Sequence, residues 1–402
     1  MARRPRSSTW LAERAVLVVN RVSRALGRGE GTVIGGRAGL ALDPTLLSGL
    51  ARGRTVVLVS GTNGKTTTTA LVAAGWGEPV AVNDTGSNMV QGHVAALAGR
   101  AGVPAALEVD ESWLPGIAAA TRPAVVVLLN LSRDQLDRAN EVRRVAQRWR
   151  DLCATLTDTV VVANASDPLV AFAAETAPVV AWCDVATPWR LDAVSCPHCT
   201  APLRFESAGW SSACGFAQPV ATTVLSEGSL SVDGLEVDLD LALPGSVNRA
   251  NAAFALTALA RVGVDPRVAA ARLTTVSEVA GRYARRPWRG GEVRLVLAKN
   301  PAGFSAALEE VADAPGELWI AVNARMADGR DPSWLYDVPF ERLAGRTVTC
   351  LGERRLDLAT RLDYGGVSVR VADDPPDPPP DRSVTVVANY TAFQEWNART
   401  AP

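Results

Sequence analysis

The chain has 402 residues, 48% hydrophobic and 21% charged, a composition that suits two or three globular domains with cores of their own. Its 41 basic and 42 acidic residues leave a formal charge of −1, so there is no global case for nucleic-acid binding. No apolar run approaches the roughly 18 residues of a membrane span, and the short stretch 15–19 lies between Arg14 and Arg21 without the form of a secretory leader. The expectation is a cytoplasmic protein whose six cysteines are reduced.

Residues 1–28 are basic, with Arg3, Arg4, Arg6, Arg14, Arg21 and Arg24, and are expected to form an amphipathic helix lined on one face by Trp10, Leu11, Val18, Val22 and Leu26. Two readings stay open: that face packs on the next domain, or it lies against anionic lipid. Next comes the β-branched run from Val56 to Val59, which breaks into Ser60-Gly61-Thr62-Asn63-Gly64-Lys65-Thr66-Thr67 and then into a helix. It reads as a phosphate-binding loop. Glycines let backbone N–H groups turn toward polyphosphate oxygens, Lys65 can reach the β and γ phosphates of ATP, and the Thr66 hydroxyl suits Mg²⁺, with Thr67 as the alternative contact. The loop is shorter than G-x-x-x-x-G-K-[ST], because Val59 stands where that pattern has its first glycine.

A short strand over 80–82 and a strand from Ala105 to Val109 follow, the second ending in Glu108, Asp110 and Glu111. A carboxylate at a strand end beside a phosphate loop is placed to ligate Mg²⁺, and Glu108 is the candidate. The apolar run from Ala124 to Leu129 reads as a buried parallel strand, and 159–163 and 179–183 continue the sheet. Cys196-Pro197-His198-Cys199 then pairs with Ser211-Ser212-Ala213-Cys214, a ribbon pattern whose third cysteine is replaced by Ser211. Cys196, Cys199 and Cys214 remain as zinc donors, with His198 and Cys183 as candidates for the fourth place; a ribbon without metal is the alternative. Asn248 and Asn251 open an alanine-rich helix, for which a capping role suffices chemically. From about 292, strands over 293–298, 317–322, 347–351, 367–371 and 383–387 alternate with helices, the pattern of a second α/β domain without a glycine-rich dinucleotide loop.

Gly61-Thr62-Asn63-Gly64-Lys65-Thr66 resembles the ATP loop of the Mur ligase superfamily, whose members activate a carboxylate as an acyl phosphate. Asn130-Leu131-Ser132-Arg133-Asp134-Gln135-Leu136-Asp137-Arg138 resembles the MurT-type variant of a superfamily motif, and Asn164-Ala165-Ser166-Asp167-Pro168 is similar to the family's Asn-Ala-Asp-Asp-Pro. Gly245 to Ala253 resembles the motif that closes the ATP domain, which assigns Asn248 to the adenine. Gly281-Arg282 matches a Gly-Arg element whose arginine meets nucleotide phosphate. Lys299 to Phe304 and Asn323 to Asp337 resemble the MurT-type C-terminal domain, with Asn323-Ala324-Arg325 in place of the family's Asn-Asp-Asn.

The resemblance implies a P-loop Mur ligase central domain over 29–246, with a degenerate zinc-ribbon-like insert at about 190–222, followed by a Rossmann-like α/β C-terminal domain over 247–402. It implies an ATP- and Mg²⁺-dependent amidation of the D-glutamate α-carboxylate in lipid II at the membrane surface. The catalytic residues would be Lys65, Glu108 and Asp337, with Asp331 second to Asp337. Ammonia would come from a separate GatD-type glutaminase, since His93 and His198 are the chain's only histidines and neither stands in a glutaminase setting. Lys65 and Lys299 are the only lysines, so the carbamylated lysine of many Mur ligases has no counterpart in the ATP domain. A folylpolyglutamate-type amino-acid ligase and a non-catalytic scaffold are the alternatives.

Overall fold

The computed structural model describes residues 7–25, 32–83, 87–133, 142–186, 189–207, 209–279, 283–377 and 383–400. The chain divides into two compact units. The first joins Met1–Leu131, Arg143–Thr187 and Ala193–Ser277; the second joins Ser132–Val142, Pro188–Asp192 and Glu278–Pro402.

The first unit opens with helices α1 (Ser7–Ala25), α2 (Thr32–Leu42) and α3 (Leu46–Ala51). It continues as alternating strand and helix: β1 (Val56–Ser60), α4 (Lys65–Trp76), β2 (Ala81–Val82), α5 (Val90–Leu97), β3 (Ala105–Glu108), α6 (Leu114–Thr121), β4 (Val125–Leu128), α7 (Val142–Cys153), β5 (Val160–Asn164), α8 (Pro168–Ala174) and β6 (Val180–Asp184). A small hairpin of β7 (Arg204–Glu206) and β8 (Gly209–Ser211) stands as its own two-stranded sheet. The meander β9 (Thr223–Leu225), β10 (Leu230–Val232) and β11 (Leu235–Val237) precedes α9 (Ser246–Arg261) and α10 (Pro266–Leu273).

Nine strands form one sheet in the order β11-β10-β9-β6-β5-β4-β1-β3-β2. Pairing is parallel from β2 to β9 and antiparallel only in the β9–β11 meander. β1 lies between β3 and β4, and all five of its residues are buried. That explains its unbroken Val-Val-Leu-Val run: a strand covered on both faces has no polar side to alternate with. The chain runs from β1 outward to β2, returns to β3, and crosses to β4 on the other flank, so strand order reverses at β1. In parallel sheets the crevice beyond the carboxyl ends of the strands at such a reversal is where ligands bind.

The second unit holds β12 (Tyr283–Trp288), β13 (Gly291–Leu297), α11 (Pro301–Val311), β14 (Glu317–Ala321), 3-10 turns at Ser333–Asp337 and Phe340–Leu343, β15 (Thr347–Leu351), α12 (Arg355–Tyr364), β16 (Ser368–Val371), β17 (Val384–Ala388) and α13 (Tyr390–Arg399). Its six strands run β12-β13-β17-β14-β15-β16, all parallel except the β12–β13 hairpin. Trp319, Phe393 and Trp396 fill its core against Val293, Leu295, Val384 and Val386.

Two features differ from the sequence expectations. The compact units part after Ser277 rather than at 246, because α9 and α10 pack on α4 and Arg272 donates to the Gly75 and Trp76 carbonyls at 3.0 and 3.1 Å at the α4 C-terminus. Trp10, Leu11, Val18 and Val22 do not line the packed face of α1; they are exposed, and the helix buries Ala12, Val16, Asn20 and Ser23 instead. Leu26 lies outside the described residues.

Candidate active site

The loop between β1 and α4 holds its shape through glycine and asparagine. Gly61 (φ +152°) and Gly64 (φ +87°) take backbone angles that side chains disfavour. A Cβ on Gly61 would stand 2.8 Å from Leu129 Cβ, and one on Gly64 would stand 2.5 Å from Asn251 Oδ1. Asn130, at the exit of β4, grips the loop from the side. Its carbonyl accepts from Thr62 N at 3.0 Å, its Oδ1 accepts from Asn63 N at 2.9 Å, and its Nδ2 donates to Asn63 O at 3.0 Å. α4 begins at Lys65, so the positive end of its dipole and its first N–H groups face the loop.

Lys65 is buried, and its Nζ donates to Gly61 O at 2.5 Å, to Thr62 O at 3.3 Å and to Glu111 Oε1 at 2.9 Å. Thr66 Oγ1 donates to Glu108 Oε2 at 2.7 Å. Parallel pairing sets Glu108 beside Val59, which brings the end of β3 level with the start of the loop. The Glu108 backbone is clamped by Asn83, whose Oδ1 accepts from its N–H at 2.9 Å and whose Nδ2 donates to its carbonyl at 2.8 Å. His93 Nε2 meets the same carbonyl at 2.8 Å. Burial pushes the His93 pKa down, so the ring is held neutral, and its Nδ1 has no partner among the described residues. A hydroxyl and a carboxylate side by side at the mouth of a phosphate loop are hard oxygen donors, the ligand type that Mg²⁺ takes.

Asn251 reaches the loop from α9, its Oδ1 accepting from Thr68 Oγ1 at 3.3 Å. Neither it nor Asn248 caps the helix: Gly245 holds the N-cap position, Asn248 Nδ2 donates to Pro244 O at 2.6 Å, and Asn251 Nδ2 lies 3.5 Å from Asn248 Oδ1. The residues that sequence reasoning left without a role at the loop are Asn83, Glu111 and Asn130, while Asn251 was read as a helix cap. Asn251 follows Asn248 by three residues on a helix, a spacing that already placed the two on one face.

In the second unit, Asp337 ends a 3-10 turn with its Oδ2 3.3 Å from Arg133 Nη2, while Arg133 Nε lies 2.6 Å from Asp192 Oδ1. Asp331 accepts from Ser333 N at 2.9 Å, and that bond lowers its carboxyl pKa. Asn323 is buried and cross-bonded to Asn389, and Arg325 pairs outward with Glu353 and Glu395 at 2.8 and 2.5 Å. Asp134 to Arg138 and Gly281-Arg282 lie outside the described residues.

Three of the cysteines meet. The sulfurs of Cys196, Cys199 and Cys214 all lie within 4.8 Å of one another, with Cys196 and Cys214 3.7 Å apart. A tetrahedron with Zn–S bonds of about 2.3 Å has edges of about 3.8 Å, so the donor set fits zinc. The fourth side is closed by Ser212, whose Oγ is 3.3 Å from Cys199 Sγ and 3.7 Å from Cys214 Sγ. Ser211, which sequence spacing put there, is exposed in the β7–β8 ladder opposite Arg204. Hydrogen bonding, first from Ser212 and then from the Ala201 backbone, lowers the Cys199 pKa to about 6, which favours the ligating thiolate. His198 and Cys183 stand elsewhere: His198 Nε2 meets Glu175 at 2.8 Å, and Cys183 is buried in β6, donating to Thr257 Oγ1 at 3.5 Å.

Comparison with known proteins agrees in both units. Residues 59–187 match the Mur ligase middle domain, and residues 297–393 match the MurT ligase C-terminal domain. Over both stretches the chain is similar to the Mur ligase superfamily. Within it, the chain is 28% identical over 379 residues to the MurT subunit of the glutamine-hydrolysing lipid II isoglutaminyl synthase of Streptococcus pneumoniae (strain ATCC BAA-255 / R6), covering 84% of this chain and 83% of that one. It is also 28% identical over 395 residues to the same-named subunit of Staphylococcus aureus (strain COL), covering 90% and 89%. Solved Mur ligase relatives share the fold. A pseudomurein peptide ligase type C from Methanothermus fervidus superposes with a TM-score of 0.67 at 18% identity over 86% of this chain and 78% of its own. MurF from Acinetobacter baumannii gives 0.66 at 13% identity over 91% and 80%.

Proposed function

We propose that the chain is the ATP-dependent synthetase subunit of a lipid II isoglutaminyl synthase, a carbon–nitrogen ligase of peptidoglycan synthesis. The observation that carries this reading is the convergence of Lys65, Thr66 and Glu108 on one loop mouth at the strand reversal, in a chain similar to MurT subunits over about 90% of its length.

In the proposed reaction an oxygen of the D-glutamate α-carboxylate attacks the γ-phosphorus of ATP, the bond to the bridging oxygen breaks, and ADP departs. Ammonia then attacks the acyl carbon of the acyl phosphate, phosphate leaves with the C–O bond electrons, and loss of a proton gives D-isoglutamine. Lys65 and the Gly61 to Thr66 amides hold the phosphates in line and balance the charge that develops on them. Thr66 and Glu108 would hold Mg²⁺, which neutralises phosphate charge when bound; Thr67 is the alternative contact. Asn248 and Arg282 are assigned to the nucleotide by resemblance, and Asn251 joins them because its Oδ1 stands against Gly64 and Thr68.

Ammonia is assigned to a GatD-type glutaminase subunit, with Asp337 offered to its Cys-His pair. Cys196, Cys199 and Cys214 are assigned to a structural zinc ion. No helix among the described residues is long and apolar enough to cross a membrane, and the reading places the protein in the cytoplasm against the inner face of the membrane. The test is ATP- and glutamine-dependent amidation of lipid II by the chain with and without the glutaminase. Activity that needs both proteins and is lost in Lys65→Ala supports the reading; addition of an amino acid by the chain alone would replace it with the ligase alternative.

A further inference from the structure

The two N-terminal helices are packed with their small residues inward. α1 meets the rest of the unit through Ala12, Val16, Asn20 and Ser23, while Leu11, Val18 and Val22 are 57%, 58% and 51% exposed. Helical spacing puts those three in one stripe and Arg14, Arg21 and Arg24 in the stripe beside it. Trp10 falls within the basic stripe at the same spacing, with Arg14 4.7 Å over its ring. The single acid of α1, Glu13, is engaged by the Gly99 N–H at 2.9 Å.

α2 repeats the pattern. It buries Gly35, Gly36 and Gly39, and a Cβ at these positions would stand 1.9 Å from Asn20, 2.0 Å from Gln91 and 2.4 Å from Val16. Its large side chains Ile34 and Leu42 are left 57% and 60% exposed. Single exposed hydrophobics are ordinary on protein surfaces, but an apolar stripe bordered by a basic one is not. The arrangement has the chemistry of a helix that lies in a lipid interface: apolar side chains for the acyl boundary, arginines for phosphate, and an aromatic ring among the arginines. A second copy is the poorer occupant, because an antiparallel two-fold contact through this face would set the two arginine stripes side by side, and the single acid of α1 is already engaged by Gly99.

We propose that the outer face of α1 docks the protein on anionic phospholipid bilayers, with Leu11, Val18 and Val22 entering the interface and Arg14, Arg21 and Arg24 at the headgroups. The site is separate from the phosphate loop and does not depend on the ligase reading. The experiment is co-flotation of the full chain with vesicles of phosphatidylcholine alone and of phosphatidylcholine with phosphatidylglycerol, at low and at physiological salt. Two variants accompany it: Leu11→Ser/Val18→Ser/Val22→Ser and Arg14→Gln/Arg21→Gln/Arg24→Gln. All six positions are exposed, and circular dichroism checks that each variant is folded.

Flotation with the anionic vesicles that weakens with salt, falls about a hundredfold on removal of the three charges, and is lost in the serine variant supports the proposal. No flotation, equal flotation of all three proteins, or salt-independent binding to neutral vesicles overturns it. A dimer in sedimentation that the serine variant converts to monomer also overturns it, since a second copy would then cover the face.

Discussion

Thr66 and Glu108 are hydrogen-bonded to each other, Oγ1 to Oε2 at 2.7 Å, although 42 residues separate them in the chain. The bond joins the first turn of α4 to the last residue of β3, and it puts a neutral and an anionic oxygen where a metal-bound phosphate would arrive. Glu108→Gln keeps an acceptor for Thr66 but removes the charge. We expect ATP-dependent turnover to fall about 10- to 100-fold, with the Mg²⁺ requirement shifted upward. Titration of activity against Mg²⁺ checks it, and an unchanged curve would remove Glu108 from the metal.

Lys65 is enclosed by two loop carbonyls and Glu111. Lys65→Ala is expected to lower turnover by at least about a hundredfold, the scale for loss of one charge-stabilising donor. Lys65→Arg should not rescue it, because a planar guanidinium does not fit a pocket shaped for a compact ammonium. Steady-state kinetics of both variants decide the point, and substantial activity in Lys65→Arg would show that positive charge alone suffices.

Gly64→Ala tests the loop against its neighbour on α9. The backbone angle alone costs about 1–3 kcal/mol, and the new Cβ also meets Asn251 Oδ1 at 2.5 Å. Gly53 supplies the control, since it has a similar φ of +76° with nothing within 4 Å of its Cβ position. Thermal denaturation should show the larger loss in Gly64→Ala, and nucleotide binding should weaken in that variant only. Equal losses would mean that the contact with Asn251 yields at no cost.

His93 governs part of the acid response. Its folded pKa lies below the ordinary 6.5, with burial as the main cause, so below about pH 6.5 the unfolded chain binds a proton that the folded protein refuses. Stability is therefore full above that pH and declines as pH falls through it toward the lowered folded value. His93→Gln, which retains a donor for the Glu108 carbonyl, should flatten the decline in melting temperature between pH 6.5 and the acid limit. A slope identical to that of the parent would assign the acid response to other groups.

Ser212→Cys should complete the sulfur cluster. With Ser212 Oγ 3.3 Å from Cys199 Sγ and 3.7 Å from Cys214 Sγ, a fourth thiolate arrives at tetrahedral spacing, and zinc should then resist chelators that strip the parent protein. Ser211→Cys, pointing out of the hairpin, should leave zinc retention unchanged. Native mass spectrometry during chelator titration distinguishes the two, and a gain confined to Ser211→Cys would return the fourth place to the position that spacing suggests.

The parallel sheet was legible because buried strands announce themselves by unbroken Val, Ala and Leu runs, and β1, β3, β4, β5 and β6 fall within a residue or two of the expected positions. The β9–β11 meander was not, since strands of three residues are too short to carry a sustained pattern. Lys65, Thr66 and Glu108 could be named from one loop and one strand end. Asn130, Asn83 and Asn251 act by pairing with backbone and hydroxyl groups far away in sequence, and an asparagine carries no local sign of such a partner. In α1 the apolar spacing was clear but not which side would pack, and the structure sets Ala12, Val16 and Asn20 against the glycines of α2.

The Lys65–Glu111 contact bears on which anions the loop accepts. Because the ammonium is already balanced by a carboxylate at 2.9 Å, an incoming anion would compete with Glu111 for it. A lone phosphate or sulfate offers too few contacts to offset that exchange. A triphosphate brings several oxygens to the loop amides together with its own metal, and so repays the displaced carboxylate many times over. On the proposed reading, Glu111 would therefore disfavour single anions and favour ligands that engage the whole loop at once.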